Sequence, residues 1–394
     1  MEITSWEKCC GCSACYSVCP QKCISMKADA NGFLRPSIDE SNCISCGKCE
    51  RTCPANHANS STNTPKSFAF KCNDRQLTKE SSSGGVFSLL SETIIKQGGR
   101  VIGACYDGDL SVAHQVISKI SDIRQLRGSK YVQSNIADTY IQTLELLKRG
   151  IPVLYTGTPC QIAGLKRMLG KTYENLICVE IVCHGVPSPK VYHTYISYLS
   201  KKYKSNVRGI NFRDKKNGWT NYSVTINLEN NKTISILGRH NEYIRGFIHN
   251  LYNRESCANC RYKLGASEAD ITIGDLWGAN QIVGEEFTAD NSGVSFVSVS
   301  TEIGDKFFTS ALKNSARDYQ LKEIITDQAI QYNPSIAKAA PMNPHRNNFL
   351  SQIQEDSDFS GLIDAYLGKI RKPSILSRIK GLLYQIYAGR RRSK

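Results

Sequence analysis

Residues 9–20 read "CCGCSACYSVCP" and residues 43–54 read "CISCGKCERTCP". The two runs share one spacing. Cys9, Cys12, Cys15 and Cys19 follow C-x2-C-x2-C-x3-C, with Pro20 directly after. Cys43, Cys46, Cys49 and Cys53 repeat it ahead of Pro54. Whatever needs these thiols needs two sets of them, close together in the chain.

Three thiolates set two residues apart can wrap three irons of one cube on a tight loop. The fourth cysteine of each run lies beyond the turn and reaches the other cube. This is the spacing of ferredoxins that carry two [4Fe–4S] clusters. It assigns Cys9, Cys12, Cys15 and Cys53 to one cluster, and Cys43, Cys46, Cys49 and Cys19 to the other. Zinc modules use paired C-x2-C knuckles and close at four ligands, so a duplicated set of eight with both prolines fits zinc poorly. Cys10 and Cys23 fall outside the pattern and receive no ligand role. Residues 1–57 are thus expected to form a small ferredoxin-like module that conducts electrons, which implies a destination for them.

The rest of the chain has to supply it. The protein has 394 residues, 40% of them hydrophobic, enough for a buried core. No run approaches the ~18 apolar residues of a membrane span. The start, "MEITSWEKCC", has neither a basic nor an apolar leader region, so a cytoplasmic location is expected, where cysteines persist as ligands rather than disulfides. The net charge of +15 is unevenly spread: residues 1–57 balance six basic against six acidic side chains, and residues 369–394 carry nine basic ones and no acid. A basic tail of this kind is weak support for a nucleic-acid-binding body, and no recognition motif accompanies it, so no nucleic-acid partner is expected.

A polar stretch, 58–67, reads as a linker. In "KESSSGGVFSLLSETIIKQGG" the apolar residues Val86, Phe87, Leu89, Leu90, Ile94 and Ile95 fit a helix that Gly98 and Gly99 stop. The Ser81–Gly85 run ahead of it suits either a phosphate site at a helix N-terminus or an ordinary serine cap. "RVIGACY" (100–106) reads as a buried strand, and "QLRGSKYVQS" places Arg127 and Lys130 in a loop that is either a phosphate clamp or merely solvated. Strand, helix, strand, helix then follow in "PVLYTGTP", "CQIAGLKRML", "LICVEIVC" and "SPKVYHTYISYLSKKY", a βαβα unit with parallel strands. Further β segments include a hairpin over Asn230-Asn231. Cys160 and Cys183 fall at the carboxyl ends of the two parallel strands, the edge where such sheets bind ligands. With the C-x2-C pair Cys257 and Cys260 they are expected to form one further metal site: a third [4Fe–4S] cluster, with zinc or unrelated thiols as the alternatives. Cys72, Cys105 and Cys178 read as structural. His184 reads as loop filler or a proton donor, and His114 as filler.

The segments "SSSGGVFSLL", "GACYDGDLSVAHQV", "RGSKYVQS", "YTGTPCQIAGLK", "CHGVPSP" and "CANCRYKLGASEADITIGDLWG" occur in the order found in the coenzyme F420 hydrogenase/dehydrogenase beta-subunit family. The chain resembles that family over about residues 66–300. The resemblance implies an iron–sulfur flavoprotein oxidoreductase using FAD, with Ser82, Ser83, Gly84 and Gly85 facing the FAD phosphates and Ser129 and Lys130 joining them. It also supports the third cluster. It does not by itself extend to coenzyme F420 as cofactor, and catalytic residues are not assigned. Related proteins with similar tails suggest surface-polysaccharide biosynthesis.

The expected fold is α+β or α/β: the ferredoxin-like module (1–57), the linker (58–67), and an α/β domain with a mixed, partly parallel sheet. That domain is read in two parts, 68–150 and 151–340, the second holding the third cluster site. Residues 341–394 are expected as a basic amphipathic tail, suited either to an anionic membrane surface or to docking on its own domain. The partner is expected to be a redox protein or a small-molecule electron donor or acceptor. The rival readings are an electron-transfer subunit without its own substrate, and a cluster-bearing scaffold or redox sensor.

Overall fold

The computed structural model describes residues 2–57 and 65–370. The N-terminal module folds around its cysteines. Two short helices, Ala14–Val18 and Lys48–Thr52, each follow a left-handed residue, Ser13 and Gly47, and carry the third cysteine of each run. Strands β1 (Ile24–Ala28) and β2 (Leu34–Ile38) pair antiparallel beneath them.

The body is built on one mixed sheet of eight strands. Its members are β3 (Lys66–Cys72), β4 (Arg100–Tyr106), β5 (Val112–Ile117), β6 (Val153–Gly157) and β7 (Leu176–Ile181), then β11 (Ile271–Asp275), β12 (Ser295–Val299) and β13 (Tyr319–Ile324). They lie in the order β13-β3-β12-β11-β7-β6-β4-β5. The central pairs β4–β6, β6–β7 and β7–β11 are parallel, and the outer pairs are antiparallel. The parts 68–150 and 151–340 therefore share a single sheet. A second sheet of β8 (Val207–Asp214), β9 (Ser223–Leu228) and β10 (Thr233–Leu237) contains the expected hairpin, turning at Asn231 with φ 62°.

Local chemistry explains why the parallel unit begins where it does. Helix Pro159–Leu169 starts with a capping box, in which Thr158 and Gln161 each satisfy the other's end of the first turn, and with Pro159 at its first position. Helix Pro189–Tyr203 also has proline at its first position, with Ser188 accepting from the Val191 N–H. The first helix follows β6 across Thr158 alone and holds Cys160 in its first turn, and the second follows β7 after the loop 182–188, which carries Cys183.

Two expected boundaries move. Lys66 and Ser67 already belong to β3, where they pair with Val299 and Ser298. The tail does not start at 341: helices Arg346–Gln352 and Phe359–Leu367 bury Phe349, Leu350, Ile353, Phe359 and Ile363 in one core with Tyr195, Tyr243 and Tyr252. Apolar burial, rather than the basic charge that follows it, sets that edge of the body. The amphipathic segment expected over 373–394 lies outside the described residues. Among the described residues no helix is long and apolar enough to cross a membrane.

Candidate iron–sulfur relay and adjoining cavity

In the N-terminal module the eight patterned cysteines gather in two groups that exchange their fourth members. Cys12, Cys15 and Cys53 are buried, and Cys9 is partly so. Burial first, and then the neighbouring Cys9 and Cys53, push the Cys15 thiol up to about 12. Cys53 is likewise raised, by burial and by Cys9. The other group, Cys19, Cys43, Cys46 and Cys49, lines one small hollow. Cys23 joins it, its sulfur 3.4 Å from that of Cys19. Thiols crowded this way resist ionisation unless a cation compensates them, so the donor set fits a bound iron–sulfur cube and is penalised without one. Among the described residues no group of His, Cys, Asp or Glu is drawn around a point tightly enough to hold a single metal ion.

Cys160, Cys183, Cys257 and Cys260 also converge, although up to a hundred residues separate them. The Cys257 thiol is held up at about 12 by burial and then by Cys160, with Cys260 adding to it. Cys183 is raised well above the usual thiol range by burial, and it feels Cys257, Cys160 and Cys260. Cys160 occupies the second position of its helix, with its sulfur 3.2 Å from the Thr158 hydroxyl. Lys263, missed in the sequence, donates to the carbonyls of Cys183 and Ser335 and so ties the Cys183 loop to the C-x2-C turn.

The module is seated on this second region. Cys12 packs against Gly164 of helix Pro159–Leu169, where an added Cβ would lie 2.8 Å from its sulfur. Tyr16 donates to Asp138 at 2.7 Å, the Leu34 N–H to Gln133 at 2.9 Å, and Arg261 to the Ala55 carbonyl at 3.4 Å. Ser188 donates to the Asn31 carbonyl. Cys10, outside the ligand pattern, lies between the two regions: its buried thiol is pushed well up, with the thiols of Cys12 and Cys160 as its neighbours. Cys72, Cys105 and Cys178 are core residues, as expected.

A cavity of about 530 Å³ opens at the carboxyl edge of the parallel strands. Gly157, Thr158 and Cys160 at the end of β6, Ile181 to Val186 at the end of β7, and Asp275 and Trp277 at the end of β11 form its floor. Ser81, Ser82, Ser83 and Gly85 line one wall, and Gly128, Ser129, Lys130 and Tyr131 another. The two loops meet where the hydroxyls of Ser82 and Ser129 lie 3.0 Å apart. Their details refine the expectation. Gly84 sits beneath the wall, with its N–H spent on the Ser295 hydroxyl at 2.9 Å and only 2.3 Å between a would-be Cβ and the Phe70 carbonyl. Lys130 turns inward onto the carbonyls of Leu126 and Arg127, at 3.1 and 2.8 Å, and desolvation draws its amine down to about 8. It braces the loop and leaves Ser129 at the cavity.

Three further residues carry this wall and gave no local signal. Lys215 donates to the carbonyls of Thr78, Ser83 and Ser292, at 2.8, 2.6 and 2.6 Å, and so clamps the serine loop from behind. Arg213 pairs with Asp275 through two bonds of 2.9 and 3.2 Å, between the rings of Tyr222 and Trp277. His114 is a buried strand residue rather than filler, joined to the Ser134 hydroxyl at 2.7 Å and the Thr156 carbonyl at 3.0 Å. His184 lines the cavity, but its ring nitrogens are engaged by Asn250 at 2.8 Å and Ser335 at 3.4 Å.

Comparison with known proteins bears on both regions. Residues 8–57 match the family model for a 4Fe-4S dicluster domain, and residues 152–324 match the one for the C terminus of the coenzyme F420 hydrogenase/dehydrogenase beta subunit. The F subunit of the F(420)H(2) dehydrogenase of Methanosarcina mazei is 23% identical over 335 residues, spanning 78% of this chain and 83% of that protein. The I subunit of the NADH-quinone oxidoreductase of Pelobacter propionicus is 38% identical over 66 residues, 15% of this chain and 36% of that one. Among solved structures, a chain of the F420-reducing [NiFe] hydrogenase complex from Methanosarcina barkeri superposes with a TM-score of 0.46 at 16% identity, covering 70% of this chain and 89% of that chain.

Proposed function

We propose that this chain, whose residues 8–57 match a 4Fe-4S dicluster domain and whose residues 152–324 match the C terminus of the coenzyme F420 hydrogenase/dehydrogenase beta subunit, is an iron–sulfur flavoprotein oxidoreductase with a three-cluster relay ending at a flavin cavity. The observation that carries this reading is the meeting of Cys160, Cys183, Cys257 and Cys260 beside the large cavity, which Cys160 and Cys183 line, with Cys12 packed against the helix that carries Cys160. The ligand sets are Cys9, Cys12, Cys15 and Cys53; Cys43, Cys46, Cys49 and Cys19; and Cys160, Cys183, Cys257 and Cys260.

When bound, the clusters supply one-electron steps, and FAD supplies the exchange between single electrons and a hydride. The chain's own residues set the order. Cys46 is exposed and Ile44 beside it is 61% exposed, which supports entry or exit of electrons there through a redox partner protein. The Cys9 group is buried between that end and the body. The cavity loops, held by Lys215 and Arg213, would seat FAD through Ser82, Ser83, Gly85 and Ser129. A volume of about 530 Å³ falls within the usual range of cofactor pockets.

Protein purified without oxygen tests this reading. About twelve irons, matching acid-labile sulfide and one extractable FAD per chain support it. Full iron with no flavin, before or after incubation with FAD, overturns the enzyme reading in favour of an electron-transfer subunit. Deazaflavins and surface-polysaccharide precursors are the acceptors to screen against the reduced protein.

A further inference from the structure

Arg254 is one of the largest fully buried side chains of the protein, 1% exposed. It stands three residues before Cys257, and its carbonyl accepts the Cys257 N–H at 3.0 Å. Its side chain runs the other way, into the N-terminal module. Nε donates to the Cys9 carbonyl at 2.8 Å, and Nη2 donates to the Leu34 carbonyl at 3.1 Å and lies 3.6 Å from the Cys9 sulfur. Nη1 reaches Gln133 at 3.5 Å, and the guanidinium lies 5.3 Å from the centre of the Phe33 ring. The module makes room for it: Gly11, at φ +69°, would place a Cβ 2.8 Å from Nη1.

A buried guanidinium is costly unless a negative charge faces it. Among the described residues, the groups facing Arg254 are carbonyls, an amide, a ring and a cysteine sulfur, with no carboxylate among them. On its other side, its own carbonyl holds the N–H of Cys257, a proposed ligand of the second site. The negative charge it needs is therefore supplied by thiolate-held centres on both sides.

Resting on the cluster assignments above, we propose that Arg254 is the shared counter-charge of the Cys9–Cys12–Cys15–Cys53 site and the Cys160–Cys183–Cys257–Cys260 site, raising the reduction potential of both and fixing one against the other. Reduction adds negative charge to a cluster, and a nearby cation and an N–H···S contact both favour the added charge. Arg254 is a positioning residue, since electrons move past it and it exchanges no proton.

Redox titration of the anaerobic holoprotein, followed by electron paramagnetic resonance, tests the proposal. In Arg254→Gln, two of three cluster potentials fall by about a tenfold change in the one-electron equilibrium, ~59 mV each. The third, at Cys43, Cys46, Cys49 and Cys19, stays and serves as the internal control. Arg254→Lys keeps the charge and holds both potentials within threefold. The proposal is overturned if Arg254→Gln carries full iron and neither potential moves, or if all three move together. Should Arg254→Gln fail to load iron, Arg254→Lys decides alone, and a tenfold fall in that variant overturns the charge argument. A wild-type count of about eight irons removes the second site, and with it the premise as well as the proposal.

Discussion

Gly164 offers a test in which two effects oppose each other in sign. It lies inside helix Pro159–Leu169, where alanine is normally better than glycine by about 1 kcal/mol. A Cβ there would meet Cys12 Sγ at 2.8 Å, Cys12 Cβ at 2.9 Å and the Tyr140 hydroxyl at 3.1 Å. None of these can withdraw cheaply. Cys12 is buried on a proposed ligand loop, and the Tyr140 hydroxyl donates to the Gln161 carbonyl at 2.5 Å. Overpacking of this kind costs about 1–3 kcal/mol, which outweighs the helix gain on average. Gly164→Ala should therefore destabilise by ~1 kcal/mol, and Gly164→Val by ~2–3 kcal/mol, with its larger, branched side chain. For a chain of this size that corresponds to a fall in unfolding midpoint of ~1 °C and ~3 °C. Thermal unfolding under nitrogen, followed by circular dichroism, reads the midpoints, and stopped-flow reduction of flavin through the N-terminal clusters reads the seating of the module. The rate should fall while iron content stays at the wild-type level. A Gly164→Ala protein that melts higher than wild type and transfers electrons as fast would refute the close contact between module and body.

Other expectations follow from single residues. His114 is buried and held at about 4, chiefly by burial, against about 6.5 when unfolded. The unfolded chain then binds more protons between those values, so this group's share of stability is intact above pH 6.5 and is lost as the pH falls towards 4. From pH 7 to pH 5 the loss is about 2 kcal/mol, or ~2 °C in midpoint. His114→Gln should remove that part of the acid sensitivity, and an unchanged pH slope counts against the assignment. Lys215→Met strands three carbonyls, at about 1–3 kcal/mol each, and frees the serine loop. FAD affinity should fall at least tenfold with iron unchanged, and equal flavin content in the variant counts against the loop as its seat.

Much of this was legible before the structure because it is local. The cysteine spacings, the strand at 100–106, the separate elements of the βαβα unit and the Asn230-Asn231 hairpin each carry their signal within about fifteen residues. The convergence of Cys160 and Cys183 followed from strand ends in a parallel sheet. What the sequence concealed depends on distant pairings. Strand β3 gains its place only by lying between β12 and β13, more than 200 residues later. Lys215 and Arg254 look like ordinary charged residues until three carbonyls, or a cysteine from another module, are brought to them. Cys10 resembled a spare thiol because nothing near it in the chain names Cys160. The edge of the tail is hidden for the opposite reason: the strong basic charge of 369–394 masks the apolar residues just before it, which pack into the body.

The proposed relay needs a third cluster built from cysteines on separate elements. Iron and acid-labile sulfide, measured in anaerobic wild-type protein beside the Cys257→Ala/Cys260→Ala variant, address it directly. The expected result is about twelve irons against about eight, with the variant keeping both N-terminal clusters and losing flavin reduction through them. Equal iron in the two proteins would leave the four converging thiols without a cluster, and the relay without its last step.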